Sequence, residues 1–159
     1  MKSGAGGNWR RFDEKFDASI IKQTTGVSCM SAVGEMLLKA RGISVPQRVI
    51  RDTIGEPSYI AILARTLNRF DTSTDGKIWR GFATDEDSLE IFIRNKSLAA
   101  ILIEPFSRIG HAVVICGKAR SGLIKINDPF DQTSYKMTME DFLRHWGGEV
   151  VTRWYPERK

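Results

Sequence analysis

Cys29 follows a polar stretch, Gln23-Thr24-Thr25-Gly26-Val27-Ser28, and precedes a run with helical apolar spacing at Val33, Met36, Leu37 and Ala40. That spacing, with Ser28 as a cap and Gly42 as a stop, predicts a helix that carries Cys29 in its first turn. A helix N-terminus offers partial positive charge, which favours the thiolate, the form of cysteine that attacks a carbonyl. The bland alternative is a small buried hydrophobe, the common fate of a free cysteine. His111 opens a strand-like run to Gly117, and Asp128 closes another that starts at Leu123. If Gly117 pairs with Gly122, His111 falls directly opposite Asp128, with Cβ atoms roughly 4.5 to 5.5 Å apart. That register also sets Val113 against Ile126 and Ile115 against Ile124, which builds an apolar face. A carboxylate beside a histidine fixes the ring tautomer and stabilises the imidazolium, which is what a Cys–His pair needs. Without Cys29, the same His–Asp contact reads equally well as a structural hydrogen bond at a sheet edge.

Three other residues compete for attention. Cys116 sits five residues beyond His111, so a regular strand points it to the opposite face, and it reads as core. His145 comes late in a helix beside Arg144, a place for contact with solvent or with the helix C-terminal dipole. Gln23 is by itself a loop residue, although a side-chain amide near Cys29 is a donor type that acyl transfer uses at the oxyanion.

The elements that must position these groups change character along the chain. Helices are predicted after the Cys29 helix from Ser44, with Pro46 in the first turn and Gln47 completing a capping box, and from Ser58 to Phe70. A further one starts at Thr84, and a last one runs from Thr138 to Gly147-Gly148. Leu98 to Glu104, the two runs above and Glu149 to Trp154 read as strands. Helices first and strands later give an α+β class with a mostly antiparallel sheet. Residues 1–10 read as a flexible, glycine-rich linker and 11–159 as one domain. Trp9, Trp79 and Trp154 can line a cleft or sit in the core.

Composition narrows the function classes. No apolar run approaches bilayer length, so no membrane span is expected. The net charge of +5 raises the question of nucleic acid, but the 24 basic residues are scattered among acidic ones, and no specific nucleic-acid partner is expected. Two cysteines outside any CxxC pair and two histidines are too few for a zinc cluster, so neither metal nor cofactor is expected. The opening residues carry no signal-peptide core, which leaves either a cytoplasmic location or delivery within a larger secreted protein.

Taken in order, Gln23-x5-Cys29-x2-Ala32-x3-Met36-Leu37-Leu38, Gly110-His111-Ala112-Val113-Val114, Asn127-Asp128-Pro129-Phe130, Met139-Glu140-Asp141-Phe142 and Trp146-Gly147 resemble a papain-like cysteine peptidase. The sequence is similar to the domains that remove double-glycine leaders from bacteriocins and to papain-like bacterial effector proteases. The resemblance spans about residues 20 to 155. It implies a papain-like fold, with Cys29 on a central helix packed against a C-terminal antiparallel sheet. It also implies Cys29 as nucleophile, His111 as general base, Asp128 as orienting residue and Gln23 as oxyanion donor. Met30 departs from the glycine or tryptophan that often follows the nucleophile in these relatives. The implied reaction is amide hydrolysis through a thioester, with a peptide or protein substrate and no cofactor. Two alternatives stand beside it. One is a toxin or effector domain acting as deamidase or transamidase, with an immunity or inhibitor protein as partner. The other is a non-catalytic peptidase-like binding module.

Overall fold

The computed structural model describes residues 9–55, 58–94, 98–103 and 110–156. In chain order the elements are β1 (Phe12–Phe16), α1 (Cys29–Lys39), α2 (Gln47–Ile54), α3 (Ile60–Phe70), β2 (Ile78–Ala83), α4 (Glu86–Ile93), β3 (Leu98–Ile103), β4 (Gly110–Lys118), β5 (Ile124–Asp128), β6 (Thr133–Met137), α5 (Met139–His145) and β7 (Trp146–Trp154). The strands form one seven-stranded sheet in the order β1-β6-β5-β4-β3-β7-β2, with every pairing antiparallel.

Strand alternation divides the apolar residues between two faces. Ala99, Ala112, Val114 and Val151 pack against α1, α2 and α3, while Leu98, Ala100, Val113, Ile115 and Val150 pack against α4 and α5. The sheet is therefore covered on both sides, and its central strands β3 and β4 read as nearly continuous apolar runs. α1 is buried along almost its whole length, between the sheet and α2 and α3. Its close approach to α3 depends on Gly34, where an added Cβ would lie 3.0 Å from Leu63 Cδ1. A buried ionic cluster fastens the far end of this layer. Asp71, after α3, accepts from Arg41 (2.6 Å) and from the Trp79 indole (2.9 Å), and Arg153 of β7 lies 3.2 Å from the same oxygen.

The α+β class, the central Cys29 helix and the antiparallel sheet follow the expectation. Several local readings change. The Ser28 hydroxyl does not cap α1; it accepts from the Thr25 N–H and donates to the Thr25 carbonyl. α2 begins at Gln47 without a capping box, and Glu35 instead accepts from the Gln47 N–H. α4 is capped by Asp85, which accepts from the Ser88 N–H, rather than starting at Thr84. β7 begins at Trp146, so the chain passes directly from α5 into the strand. Glu104 and residues 1–8 lie outside the described residues. Trp9 and Trp79 are core residues, and Trp154 packs partly buried beside Phe92.

The β4–β5 register also differs from the predicted one. The turn centres on Arg120-Ser121, with Gly122 in the left-handed region and Ala119 N–H bonded to Leu123 O. An irregularity between Ile115 and Gly117 then makes Cys116 an extra residue, a β-bulge. Past the bulge Ile115 pairs with Ile126 and Val114 with Asn127, so the predicted partners Val113–Ile126 and Ile115–Ile124 do not form. The net displacement is two residues. Because side chains alternate with period two, an even displacement keeps His111 and Asp128 on one face and makes them diagonal rather than direct neighbours.

Candidate active site

Cys29 is the first residue of α1 and is buried at its N-terminus against the start of β4. The Ala112 N–H donates to its sulfur at 3.5 Å. His111 also acts on this thiol by hydrogen bonding and by charge. His111 uses Nε2 to contact Asp128 Oδ1 at 2.8 Å, which leaves Nδ1 as the ring nitrogen for the thiol. The structure thus brings together Cys29, His111 and Asp128, three of the four site residues expected from the sequence, drawn from α1, β4 and β5.

The electrostatics point one way. Burial is the largest single influence on the Cys29 thiol and would raise its pKa. The hydrogen bond and charge of His111, with the N–H groups of Ala112 and Met30, outweigh it, and the pKa lies below its ordinary value. Burial also acts most strongly on His111 and would lower its pKa. Asp128 and Cys29 reverse that by hydrogen bonding and charge and raise it to about 9. Each group holds the other charged, so the pair favours thiolate and imidazolium.

Asp128 is fully buried. Its Oδ1 accepts from the Phe130 N–H at 3.0 Å besides meeting His111, and its Oδ2 accepts from the Tyr135 hydroxyl at 2.8 Å. The ring of Trp9 stacks on His111, with centroids 6.3 Å apart and planes 24° apart, and its Nε1 donates to Tyr135 Oη at 3.0 Å. Sequence reasoning marks neither Tyr135 nor Trp9 as a site residue. A signal for Tyr135 exists: β5 and β6 form a hairpin in which Ile126 pairs with Tyr135, so Tyr135 shares a face with Asp128.

Gln23 lies in the loop that leads into α1 and is buried. Its backbone N–H donates to Pro129 O at 2.7 Å, beside Asp128, and its side-chain Nε2 donates to Thr25 O at 2.8 Å. Further bonds clamp the loop: Gln132 Nε2 to Ile20 O, Asp17 N–H to Gln132 O, and Gln47 Nε2 to Lys22 O. The loop before Cys29 is thereby tied to the β5–β6 turn that follows Asp128.

The two competitors part from the site. Cys116 is half-buried on the bulge, packed toward the α1 side, and burial pushes its thiol up to about 11. Of the two surroundings expected for His145, it takes the last turn of α5 and not solvent. It is buried, with Nδ1 3.2 Å from Ile103 O and its ring tilted against Trp9 at 5.5 Å, because the chain turns straight from α5 into β7 under the N-terminal arm. Among the described residues no group of three His, Cys, Asp or Glu side chains is arranged to hold a metal ion. No helix among them is long and apolar enough to cross a membrane.

Comparison with known proteins gives the family and the fold. Residues 17–157 match the model of the Peptidase C39 family. The chain is 38% identical over 151 residues to Cysteine protease effector 1 of Escherichia coli O1:K1:H7, covering 95% of this chain and 30% of that protein. It therefore spans less than a third of that relative's length. The fold is similar to a double glycine motif protease from an AMS/PCAT transporter, solved with its leader peptide (TM-score 0.66, 21% identity, 92% of this chain and 93% of that one). It is also similar to the peptidase domain of Streptococcus ComA (TM-score 0.68, 16% identity, 86% and 97%).

Proposed function

The chain belongs to the peptidase C39 family of cysteine peptidases, and from that premise we propose that it cleaves a peptide bond through a thioester on Cys29. The observation that carries the reading is the Cys29–His111–Asp128 chain of contacts at the N-terminus of α1. In this mechanism the Cys29 thiolate attacks the scissile carbonyl. The Cys29 N–H and the second amide hydrogen of Gln23 stabilise the oxyanion. The His111 imidazolium gives its proton to the leaving amine as the C–N bond breaks and the thioester forms. Neutral His111 then takes a proton from water, which attacks the thioester and releases the acid and the Cys29 thiolate. Asp128 keeps the ring oriented and favours its charged form.

The substrate is a peptide, a reading that the leader-peptide complex of the similar transporter protease supports, and the effector name of the E. coli relative supports an effector role for the protein that carries this domain. Delivery within a larger protein, and a cognate inhibitor or immunity partner, belong to the same proposal.

The test is alkylation of Cys29 and Cys116 by iodoacetamide across pH, read by peptide mass spectrometry, in wild type and His111→Ala. Cys29 is expected to react fast at pH 6 and to slow in the variant, while Cys116 stays inert. A profile for Cys29 centred near the unperturbed thiol value of about 8.5, with no dependence on His111, favours a non-catalytic peptide-binding module instead. Peptide-library digestion, with new termini read by mass spectrometry against Cys29→Ala, then separates hydrolysis from other acyl transfer.

A further inference from the structure

We propose that Tyr135, braced by Trp9 and Arg11 of the N-terminal arm, is a positioning residue that fixes Asp128 as the ionised partner of His111. The inference rests on the proposed role of Cys29 and His111 and adds a layer behind them.

An indole N–H can only donate, so Trp9 Nε1 at 3.0 Å occupies a lone pair of the Tyr135 oxygen. The single hydroxyl proton of Tyr135 is then directed at Asp128 Oδ2, 2.8 Å away. A backbone N–H can also only donate, so Phe130 occupies Asp128 Oδ1, the oxygen that His111 Nε2 also meets. The carboxylate thus receives a fixed donor on each oxygen, from Phe130 and Tyr135, and shares its remaining proton-bearing contact with His111 Nε2. Two fixed donors favour the ionised carboxylate, with His111 donating. Tyr135 itself stays neutral, because burial, first, and the Asp128 charge, second, push its pKa well above the ordinary value.

Arg11 closes the layer. Its guanidinium lies over the Tyr135 ring at 4.1 Å, with the side chain almost wholly buried. Its Nε and Nη2 have no hydrogen-bond partner among the described residues, and its ion pair with Glu14 is long, at 3.6 Å. The cation is therefore held by aromatic faces as well as by Glu14, behind a cluster of two anions and one cation. The titratable and charged groups around Asp128 and His111 are Cys29 from α1, Tyr135 from β6, Arg11 with Glu14 from the arm and β1, and His145 from α5 across Trp9. Removing the Tyr135 hydroxyl leaves Asp128 Oδ2 buried without its donor, which shifts the shared proton from His111 toward Asp128 and weakens the thiolate.

The experiment is the pH profile of Cys29 alkylation by iodoacetamide in wild type, Tyr135→Phe and Trp9→Phe, with thermal unfolding of each. For Tyr135→Phe the rate at pH 6 is expected to fall about tenfold, the loss of one hydrogen bond to a charged group, with rates converging to wild type at high pH. Trp9→Phe keeps the aromatic packing but frees the Tyr135 hydroxyl to rotate, and about a threefold fall is expected. A Tyr135→Phe protein that unfolds at lower temperature but keeps the wild-type alkylation profile overturns the proposal and makes Tyr135 a packing residue. If Tyr135→Phe does not fold, an unchanged profile in Trp9→Phe overturns it by the same logic. Failure of the underlying reading is distinct: there, wild-type Cys29 itself shows no acceleration at pH 6.

Discussion

Asp128→Asn isolates the charge behind His111 with little change of shape. The introduced amide can keep its carbonyl oxygen toward His111 and the Phe130 N–H, and turn its NH₂ toward Tyr135, whose hydroxyl can rotate. What disappears is the negative charge. His111 titrates at about 9 against an ordinary value of 6.5, although burial alone would push it below that value. Asp128 is the first group that opposes burial, with Cys29 second. Without the charge, burial is countered by Cys29 alone, and a fall to about 7 is expected, worth about 3 kcal/mol. That is roughly a hundredfold shift from imidazolium to imidazole, and the Cys29 thiolate loses its counter-ion with it. The assay is NMR titration of the imidazole resonances, which is simple here because the chain has only two histidines, His111 and His145. Wild type should show one ring titrating near 9, and Asp128→Asn should move that ring to about 7 or below. A ring that still titrates near 9 in the variant refutes the reasoning, because the charge would then come from elsewhere.

Other expectations follow from the same contacts. Gln23→Ala should lower kcat for peptide cleavage by about 100-fold to 1,000-fold with little change in KM and leave Cys29 alkylation untouched; an equal fall in alkylation would mean the loop positions Cys29 instead. The pH profile of kcat/KM should be bell-shaped. Its alkaline limb should lie near 9, where His111 loses its proton, and its acid limb below the ordinary thiol value, where Cys29 gains one. Gly81→Ala sets a Cβ 2.7 Å from the Ile60 carbonyl oxygen, a backbone atom that cannot swing away, so α3 and β2 must part at a cost of about 1–3 kcal/mol in urea unfolding. Asp71→Asn should cost about 3 kcal/mol, because it leaves the buried Arg153 and the half-buried Arg41 short of a charge. Asp71 titrates at about 2 in the fold, below its ordinary 3.8, so its contribution is present above pH 3.8 and is lost as pH falls through about 2; a variant with wild-type stability at pH 7 would contradict this.

The site is legible in the sequence because its residues obey two local rules. Cys29 follows from helix phasing, and the pairing of His111 with Asp128 follows from hairpin parity. The second rule tolerates a displaced register: the turn shifts, and the bulge at Cys116 shifts the pairing back in part, but an even net displacement cannot change the face. Apolar patterning alone does not choose between the two registers, since Ile115 meets an isoleucine in either. Three strands escape sequence reading for different reasons. β1 exposes most of its residues and exists only through its pairing with β6. β2 carries Gly81 near its centre, which reads as a break until the close approach of α3 explains it. β6 is short and polar on one side, and only Tyr135 and Met137 are buried. Trp9 reads as part of a flexible segment because composition reports glycine content and not the aromatic that the fold captures behind His111.

Proton counting connects the site to the fold. In the unfolded chain between about pH 6.5 and 8.5, Cys29 keeps its proton and His111 is neutral, so the two hold one proton on sulfur. In the folded chain, between the lowered thiol pKa and about 9, they also hold one proton, now on nitrogen. Where these windows overlap, the folded and unfolded states bind equal numbers of protons at the pair, and the slope of stability against pH from the pair is zero. The unfolded pair loses that last proton near about 8.5 and the folded pair near 9, so the alkaline loss of imidazolium removes chemistry with little change in the pair's contribution to stability. Removing the sulfur breaks the symmetry. With Cys29 absent, His111 alone keeps a raised pKa through Asp128, and its stabilisation is complete below about 6.5 and is lost as pH rises through the folded value. The thiol and the imidazole are thus matched in stability as well as in reactivity: the proton moves from sulfur to nitrogen on folding, and the fold obtains a charged nucleophile without the pair making stability sensitive to pH between about 6.5 and 8.5.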